Sequence, residues 1–191
     1  GRLAEHLPNV NNSRIELLQE VLDTIEKTGA EYALSQLGIT YIVGDARKVE
    51  LDHVDLVVSN NTLEHIPGDV IQGIFQNFRR MLGDNGLMSH SIDLSDHYSH
   101  FDDQLTPYNF LKFSSARWKL YNNKLQYQNR LRASQYRAIH ERAGFEVLSE
   151  DHHSNSIEEL KHIMVAPEFR SYSPEDLAVT ASWIVSRPSN R

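Results

Sequence analysis

The sequence predicts an α/β fold in which helices pack on both faces of a mostly parallel sheet. Two apolar strand patterns, at residues 39–43 and 54–59, each run into small polar residues, and an amphipathic helical pattern follows the second. A third strand pattern, at residues 87–93, comes after that helix with short connections. Strand, helix and strand joined this closely form the βαβ unit of a parallel sheet. Ligands bind at the carboxyl ends of such strands, so we expect the site there.

The first half of the chain has clear signals for the ends of its elements. Ser13 and Glu16 have the spacing of a capping box, and the helix that they begin should end at Gly29. A shorter helix should end at Gly38. In chain order, the predicted elements are helices over 13–28 and 30–37, strands over 39–43 and 54–59, a helix over 70–82, a turn over 83–86 and a strand over 87–93.

The second half continues the alternation after a long interruption. Residues 94–112 are polar, aromatic and rich in histidine, which predicts a lid or substrate loop rather than a plain connection, within an insertion over 94–132. The predicted elements that follow are helices over 114–121 and 135–143, a strand over 145–148, helix starts at Ser156 and Ser173, and a strand over 179–186. No linker composition divides the chain, so we expect one domain over residues 1–191.

Composition excludes several classes of function. The chain has 191 residues, 40% of them hydrophobic, which is enough for a packed core. A net charge of −7 with no basic block argues against nucleic-acid binding. The absence of cysteine excludes disulfides, thiolate nucleophiles and cysteine-bound zinc. No apolar run approaches the roughly 20 residues that span a bilayer, so we expect a soluble cytoplasmic protein without a membrane partner.

Four stretches carry a family resemblance: Gly44-Asp45-Ala46, residues 54–66, residues 78–88 and residues 136–145. In this order they resemble the later two thirds of a class I S-adenosylmethionine-dependent methyltransferase, which has a Rossmann-like sheet. The resemblance covers residues 39–150 well. It implies S-adenosylmethionine as cofactor and an enzyme that transfers its methyl group.

The resemblance implies cofactor contacts at two strand ends. The first strand ends at Gly44, where Asp45 would accept from the adenine amino group and the N–H of Ala46 would meet a ring nitrogen. Carboxylate and free N–H at one strand end are also the acceptor and donor that a neutral purine edge requires. Asn60, Asn61 and His65 would lie beside the methionine part of the cofactor.

Each of these residues has an ordinary alternative. Gly-Asp after a strand is a common turn pair. Asn60 and Asn61 could cap the next helix or hold a left-handed turn, which asparagine tolerates. Glu64 and His65 could be a solvated acid and a hydrogen-bonded histidine at the entry to a helix.

Residues 90–102 are the second candidate site, with several histidines and aspartates close together. In a strand, His90 and Asp93 point to opposite faces, so they would not share a ligand. A metal site is therefore the alternative interpretation, and a polar lid held by surface hydrogen bonds is another. In the resembled family this region faces the methyl acceptor. The predicted roles are catalysis for His97 and His100, one as general base, and substrate binding for Asp93, Asp96, Tyr98 and Tyr108.

The aromatic residues of the insertion divide into two predicted groups. Phe110, Phe113 and Trp118 should be core residues. Tyr108 and Tyr121 could wall a pocket for a sugar-like or small polar acceptor, together with Asn122 and Asn123. Basic residues from Arg117 to Arg137 could receive a phosphorylated substrate, although a solvated helix face is the preferred explanation.

The start of the sequence departs from the family pattern. No Gly-rich turn and no acid of a second strand precede residue 39, so the fold is expected to be N-terminally incomplete, with the first two strands missing. Such a fragment is expected to bind the cofactor weakly or not at all, and the sheet edges left open predict self-association into a homo-oligomer.

Methyl transfer to a small-molecule or glycan-related acceptor is the function that these residues favour. A metal-dependent hydrolase or oxygenase built on residues 90–102 is one alternative. A non-catalytic interaction protein that keeps the fold is another, which the missing Gly-rich turn alone supports.

Overall fold

The computed structural model describes residues 11–190, which form two compact units that meet in sequence between Gly44 and Asp45. The first unit contains α1 (Asn12–Thr28) and α2 (Ala30–Gln36). Asn11 caps α1, its side chain accepting from the N–H of Arg14, so the cap lies two residues before the predicted Ser13. Gly29 ends α1 with φ of +84°, as the sequence predicts.

The strand predicted at residues 39–43 is wrong. These residues have no regular secondary structure, and Tyr41 and Val43 are exposed. An isolated strand gains no ladder hydrogen bonds, and no strand among residues 11–190 pairs with this segment. Apolar composition alone therefore does not make it a strand.

The second unit is built on a four-stranded mixed sheet with the order β1-β2-β4-β3. Its strands are β1 (Val54–Asn60), β2 (Leu82–Asp93), β3 (Phe145–Ser154) and β4 (Val179–Pro188). β1 and β2 are parallel, and β4 runs antiparallel to both β2 and β3. The four strand predictions in this unit are confirmed, although β3 and β4 extend beyond the predicted ends.

The predicted turn at residues 83–86 is a bulge inside β2. Val54 of β1 pairs with Leu82 and Leu56 pairs with Leu87, so β2 has three more residues than β1 between these two pairs. Such a bulge absorbs extra residues without ending a strand. The start of the strand was therefore predicted five residues too late.

Five helices and four short 3₁₀ segments complete the described part of this unit. The helices are α3 (Gly68–Met81), α4 (Ser115–Tyr121), α5 (Ala133–Arg142), α6 (Ile157–Lys161) and α7 (Pro174–Ala178). The 3₁₀ segments are Leu63–His65, His97–His100, Asn109–Lys112 and Pro167–Phe169. Among the described residues, no helix combines the length and the apolar character needed to cross a membrane.

The main core lies between one sheet face and the helices α3 and α5. Ile71 and Phe75 of α3, Ile139 of α5, and Met88 and Ile184 of the sheet are buried in it. The burial of each such side chain contributes about 1.5–3 kcal/mol to folding, before entropy is counted. Leu56, Val58 and Trp183 are exposed instead.

A second core is formed by the insertion over 94–132 together with α6 and α7. Phe110 and Trp118 are buried there, as predicted, and Phe113 is half-buried against them. Two buried arginines donate hydrogen bonds to backbone carbonyls of the insertion. Arg130 donates to the carbonyl of Phe110, and Arg132 donates to that of Leu94 over 2.7 Å. Burial lowers the pKa of Arg132 to about 10, so it stays cationic near neutral pH.

Candidate active site

Two clefts adjoin at the carboxyl ends of the parallel strands β1 and β2. The larger, of about 530 Å³, and the smaller, of about 240 Å³, share Asn61, Asp93 and His100 in their walls. The larger is also lined by Asn60, Ser91, Ser95, Ser99, Pro107, Asn155, Thr180 and Ala181. The smaller is also lined by Glu64, His65, His97, Phe101 and Gln126. The sequence predicts a site at these strand ends. Of the predicted site residues, the two clefts are lined by Asn60, Asn61, His65, Asp93, His97 and His100 and not by Gly44, Asp45 or Ala46.

Asn60 and Asn61 form the end of β1. Asn61 has φ of +46°, and its N–H donates over 2.9 Å to the carbonyl of Ser91 on β2. The left-handed turn given as the alternative for this pair is therefore present. It does not exclude a ligand contact, because both residues also line the larger cleft.

Asp93 ends β2 and stands at the boundary of the two clefts. Its Oδ1 accepts from the N–H of Ser95 over 2.8 Å and from the Ser95 hydroxyl over 2.6 Å. Its Oδ2 lies 3.5 Å from Nε2 of both His97 and His100. Burial alone would raise the pKa of Asp93, but His97 and the two bonds from Ser95 lower it to about 2. A fixed negative charge therefore faces the two imidazoles.

His97 and His100, the predicted catalytic residues, lie on either side of this carboxylate. The contact with Asp93 raises the pKa of His97, against the opposing effect of burial. The His97 side chain is 14% exposed, whereas that of His100 is 52% exposed. His100 Nε2 also lies 3.1 Å from the Ser95 hydroxyl. His100 is thus the histidine that a ligand in either cleft can reach.

Glu64 and His65 lie in the 3₁₀ segment that follows β1. The expectation of a solvated acid is wrong, because the Glu64 side chain is only 2% exposed. Neither of its carboxylate oxygens has a hydrogen-bond partner in the described part of the chain, and burial raises its pKa. His65 donates from Nδ1 to the carbonyl of Tyr127 over 2.8 Å, which leaves Nε2 free to face the smaller cleft.

Three of the four predicted substrate residues form hydrogen bonds with other parts of the protein instead. The Oδ1 and Oδ2 atoms of the buried Asp96 accept from the N–H of Tyr98 and from the Asn109 amide. The Tyr98 hydroxyl donates to the carbonyl of Tyr121. Tyr108 is fully buried and donates to the carbonyl of Ala178, so it presents no surface to a substrate. Only Asp93 of this group lines the clefts.

His90 and Asp93 do point apart, as strand geometry predicts. His90 is buried in the main core, where its Nδ1 lies 2.7 Å from the Ser59 hydroxyl. Burial lowers the pKa of His90 to about 4. His90 therefore lies apart from Asp93, His97 and His100 and cannot share a ligand with them.

The predicted adenine-side residues span the point in the sequence at which the first unit ends and the second begins. Gly44 ends the first unit and Asp45 begins the second. The Asp45 carboxylate is paired with Arg47, whose Nη2 lies 2.6 Å away, and the hydrogen bonds from Arg47 lower the pKa of Asp45 to about 2. The buried Asn77 of α3 donates to the carbonyls of Ala46 and Val49 and so fixes this turn to the helix.

Several residues that shape the clefts had no signal in the sequence. Ser95 orients Asp93, and the buried Gln128 donates to the Ser95 carbonyl. Asn155, the residue after β3, and Thr180 of β4 line the larger cleft. They lie from 62 to 87 residues beyond Asp93 and have no motif around them, so only the fold could have identified them.

The residues present fit the methionine part of S-adenosylmethionine better than its adenine part. Asn60 and Asn61 offer amide groups at the cleft edge, where the methionine part would lie. The N–H of Ala46 has no acceptor in the described region, as contact with an adenine nitrogen requires. The Asp45 carboxylate fits only after it leaves Arg47.

Comparison with known proteins assigns the family. The model of the family described as "Methyltransferase domain" matches residues 9–150, more than half of the chain. No curated protein matches.

Among solved structures, a candidate methyltransferase from Bacillus halodurans has 14% identity and a TM-score of 0.48, over 84% of this chain and 78% of that one. A candidate O-methyltransferase from Nostoc punctiforme has 18% identity and a TM-score of 0.46, over 82% of this chain and 40% of that one. CalO1, a methyltransferase of calicheamicin biosynthesis solved with SAH bound, has 15% identity and a TM-score of 0.42, over 78% of this chain and 34% of that one. This chain thus spans less than half the length of two of these three proteins.

The family match, which includes the strand ends that form the clefts, shows that the chain belongs to the methyltransferase-domain family, and the described residues have an α/β fold.

Proposed function

We propose that this domain serves S-adenosylmethionine-dependent methyl transfer to a small-molecule or glycan-related acceptor. The observation that supports this most directly is the pair of adjoining clefts at the ends of β1 and β2. One strand end carries amides suited to the cofactor, and the next carries a carboxylate with two imidazoles suited to a hydroxyl acceptor. Methyl transfer requires the two ligands to meet in line.

Asn60, Asn61 and the turn that begins at Asp45 hold the cofactor in this proposal. When bound, S-adenosylmethionine supplies an activated methyl group with its own leaving group. The protein therefore has to align the acceptor and exclude water, and needs no acid for the leaving group.

His100 accepts the proton of the acceptor hydroxyl on Nδ1, because the Ser95 hydroxyl donates to Asp93 and can therefore only accept from Nε2–H of His100. Asp93, 3.5 Å from Nε2, stabilises the imidazolium that forms. The fixed charge of Asp93 is available over the whole neutral range, because its pKa is about 2. A positioned base of this kind contributes about 10²–10⁴ to a rate.

The affinity of this chain for the cofactor is proposed to be low. Asp45 must exchange a charged partner, Arg47, for a neutral amine before it can contact adenine. In addition, residues 39–43 form no strand that would hold Gly44 and Asp45 in place. We expect a dissociation constant above about 100 µM, which corresponds to a binding free energy weaker than about −5.5 kcal/mol. Calorimetric titration showing micromolar affinity would contradict this part of the proposal.

Binding of S-adenosylhomocysteine to two matched variants tests the cofactor side. Asn61→Gly removes the amide without backbone strain, because glycine adopts positive φ freely. His53→Gly is the control, since His53 also has positive φ, of 48°, but does not line either cleft. We expect affinity to fall by about fivefold in Asn61→Gly, as for one lost hydrogen bond, and not in the control. Equal affinity in all three proteins would contradict the assigned cofactor side.

Self-association through the outer edge of β1 is a further part of the proposal. No strand in the described residues pairs with that edge, and Leu56 and Val58 are exposed. Open edges with apolar side chains favour pairing with another copy. Sedimentation equilibrium should show a homo-oligomer that Val58→Lys dissociates, whereas a monomer at every concentration would exclude it.

A further inference from the structure

One candidate metal-ligand set lies at the entrance to the smaller cleft. Glu64, His65 and His97 each offer a ligand atom, and all of these atoms lie within 4.8 Å of one another. We propose that Glu64, His65 and His97 bind one divalent transition-metal ion. This set differs from the residues 90–102 of the sequence-based alternative, since two of its members follow β1. The proposal stands whether or not the domain transfers methyl groups.

Glu64 is the first argument for a ligand at this point. Its side chain is 2% exposed, and neither oxygen has a hydrogen-bond partner among residues 11–190. Burying an unpaired carboxylate is costly, so such groups are normally paired or coordinate a metal. The one ion-pair contact of Glu64 in the described chain is with His65, whose Nε2 lies 4.0 Å from Oε1, beyond hydrogen-bond distance. A cation between Glu64 and the two imidazoles would supply the missing partner.

His65 is already oriented as a metal ligand would be. Its Nδ1 lies 2.8 Å from the carbonyl oxygen of Tyr127, which can only accept. The proton of a neutral His65 is therefore on Nδ1, and Nε2 carries the free lone pair. Metal-binding histidines typically donate their second nitrogen to a carbonyl or carboxylate in this way, which fixes both tautomer and ring orientation.

Asn129 holds the segment that carries Glu64 and His65 in place. Its N–H donates to the carbonyl of Glu64 over 2.9 Å, and its side-chain amide donates to the carbonyls of Leu63 and Ile66. Two potential ligands are thus presented by a segment that Asn129 holds at three backbone carbonyls. Rigid support of this kind lowers the cost of assembling a metal site.

His97 completes the set from the other strand end. Its Nε2 is buried without a hydrogen bond in the described structure, and the His65 and His97 ring centroids lie 5.0 Å apart. Asp93, whose Oδ2 lies 3.5 Å from this Nε2, is close enough to be a fourth ligand or to hold the imidazole. The spacing of the ligand atoms, all within 4.8 Å of one another, places both imidazoles near a common point.

The ligand chemistry selects the class of metal. Two imidazoles and one carboxylate suit Zn²⁺, Fe²⁺, Co²⁺ or Mn²⁺ rather than Ca²⁺ or Mg²⁺, which prefer oxygen. With bonds of about 2.1 Å, tetrahedral ligands lie about 3.4 Å apart, so ligand atoms that are now up to 4.8 Å apart would have to approach by up to about 1.4 Å. Any remaining coordination position faces the smaller cleft, where water or a ligand oxygen could occupy it.

Titration of the 191-residue protein with Co²⁺ and with Zn²⁺ tests the proposal. We expect one ion per chain, with a visible Co²⁺ spectrum of four- or five-coordinate nitrogen and oxygen ligation. Glu64→Gln and His97→Gln should each weaken binding at least about tenfold. His153→Gln, which changes an exposed histidine outside the set, should leave affinity unchanged.

A second measurement keeps the test valid if a variant is less stable. Without metal, Glu64→Gln should unfold at the same or higher urea concentration, because it removes a buried charge. With Zn²⁺ the unfolding midpoint should rise in the unmodified protein and not in Glu64→Gln. The proposal is overturned if no ion binds at millimolar metal, or if Glu64→Gln and His97→Gln bind as tightly as the unmodified protein.

Discussion

The imidazole rings of His90 and His140 lie 5.7 Å apart, centroid to centroid, inside the main core. Both side chains are buried, and the ring of Phe75 packs against each of them. Each histidine has one serine hydroxyl as partner at Nδ1 and none at Nε2 in the described structure. Burial lowers the pKa of His90 to about 4 and that of His140 to about 3, and the nearby His90 also lowers the latter.

These two residues predict acid sensitivity. Above pH 6.5, the ordinary histidine pKa, both are neutral in the folded and unfolded states. Below pH 6.5 both histidines bind a proton in the unfolded chain but stay neutral in the folded core. The free energy of unfolding therefore falls as the pH drops from 6.5 towards 4. The loss should reach about 1.4 kcal/mol per pH unit for each histidine. Urea unfolding at a series of pH values measures how the unfolding free energy depends on pH. In His140→Gln this dependence should be smaller by the uptake of about one proton. An unchanged pH dependence would contradict the assignment.

The fold could be predicted in part because periodicity and turn residues act locally. Gly29 and Gly144 end helices where the sequence says they do, and the strands of the second unit follow their apolar runs. The strand prediction for residues 39–43 was wrong because strand formation depends on a partner strand, and a local sequence pattern does not show whether one is present. The turn prediction for residues 83–86 was wrong for a related reason. Gly and Asn indicate irregular backbone, but they do not distinguish a turn from a bulge.

The site was predictable at the strand ends and not beyond them. Asn60, Asn61 and Asp93 follow apolar strands, so their position at the sheet edge follows from the fold class. The burial of Glu64 depends on Asn129 and other residues far along the chain. Tyr108 was misjudged because a tyrosine looks the same in a sequence whether its hydroxyl meets a substrate or the carbonyl of Ala178.

Asn77 provides a test of how the turn near Asp45 is held. Asn77→Ala leaves the carbonyls of Ala46 and Val49 without their donor, so the free energy of unfolding should fall by about 1–3 kcal/mol. Gln76→Ala, on the exposed side of the same helix, should change stability by less than about 0.5 kcal/mol. Denaturant unfolding measures both variants, and equal effects would show that Asn77 does not anchor the turn.

Arg47 is expected to compete with the cofactor for Asp45. Arg47→Met keeps the aliphatic stem but frees the carboxylate, so affinity for S-adenosylmethionine should rise and the pKa of Asp45 should return from about 2 towards 3.8. Lys48→Met removes a neighbouring charge that makes no ion pair with Asp45 in the described structure. Calorimetry should find tighter binding in the first variant only. Weaker binding in Arg47→Met would indicate that Arg47 orients Asp45 for the cofactor instead.

Gly144 tests the backbone at the end of α5. Its φ is +86°, whereas an added Cβ would meet no atom closer than 3.7 Å, so any cost of alanine arises from the backbone. Gly144→Ala should therefore lower the unfolding free energy by about 1–2 kcal/mol. Gly83→Ala is the control, because Gly83 has open space and no positive φ. Thermal unfolding compares them, and a neutral Gly144→Ala would refute the explanation.

The most direct test of the proposed cofactor site is a ¹⁵N NMR titration of the 191-residue protein with S-adenosylmethionine up to millimolar concentration, which detects weak binding. We expect the amide signals of Ala46, Asn60 and Asn61 to shift together and to reach saturation, while the signals of α6 and α7 do not shift. Shifts confined to other parts of the chain, or no shifts at millimolar cofactor, would contradict the proposed cofactor site.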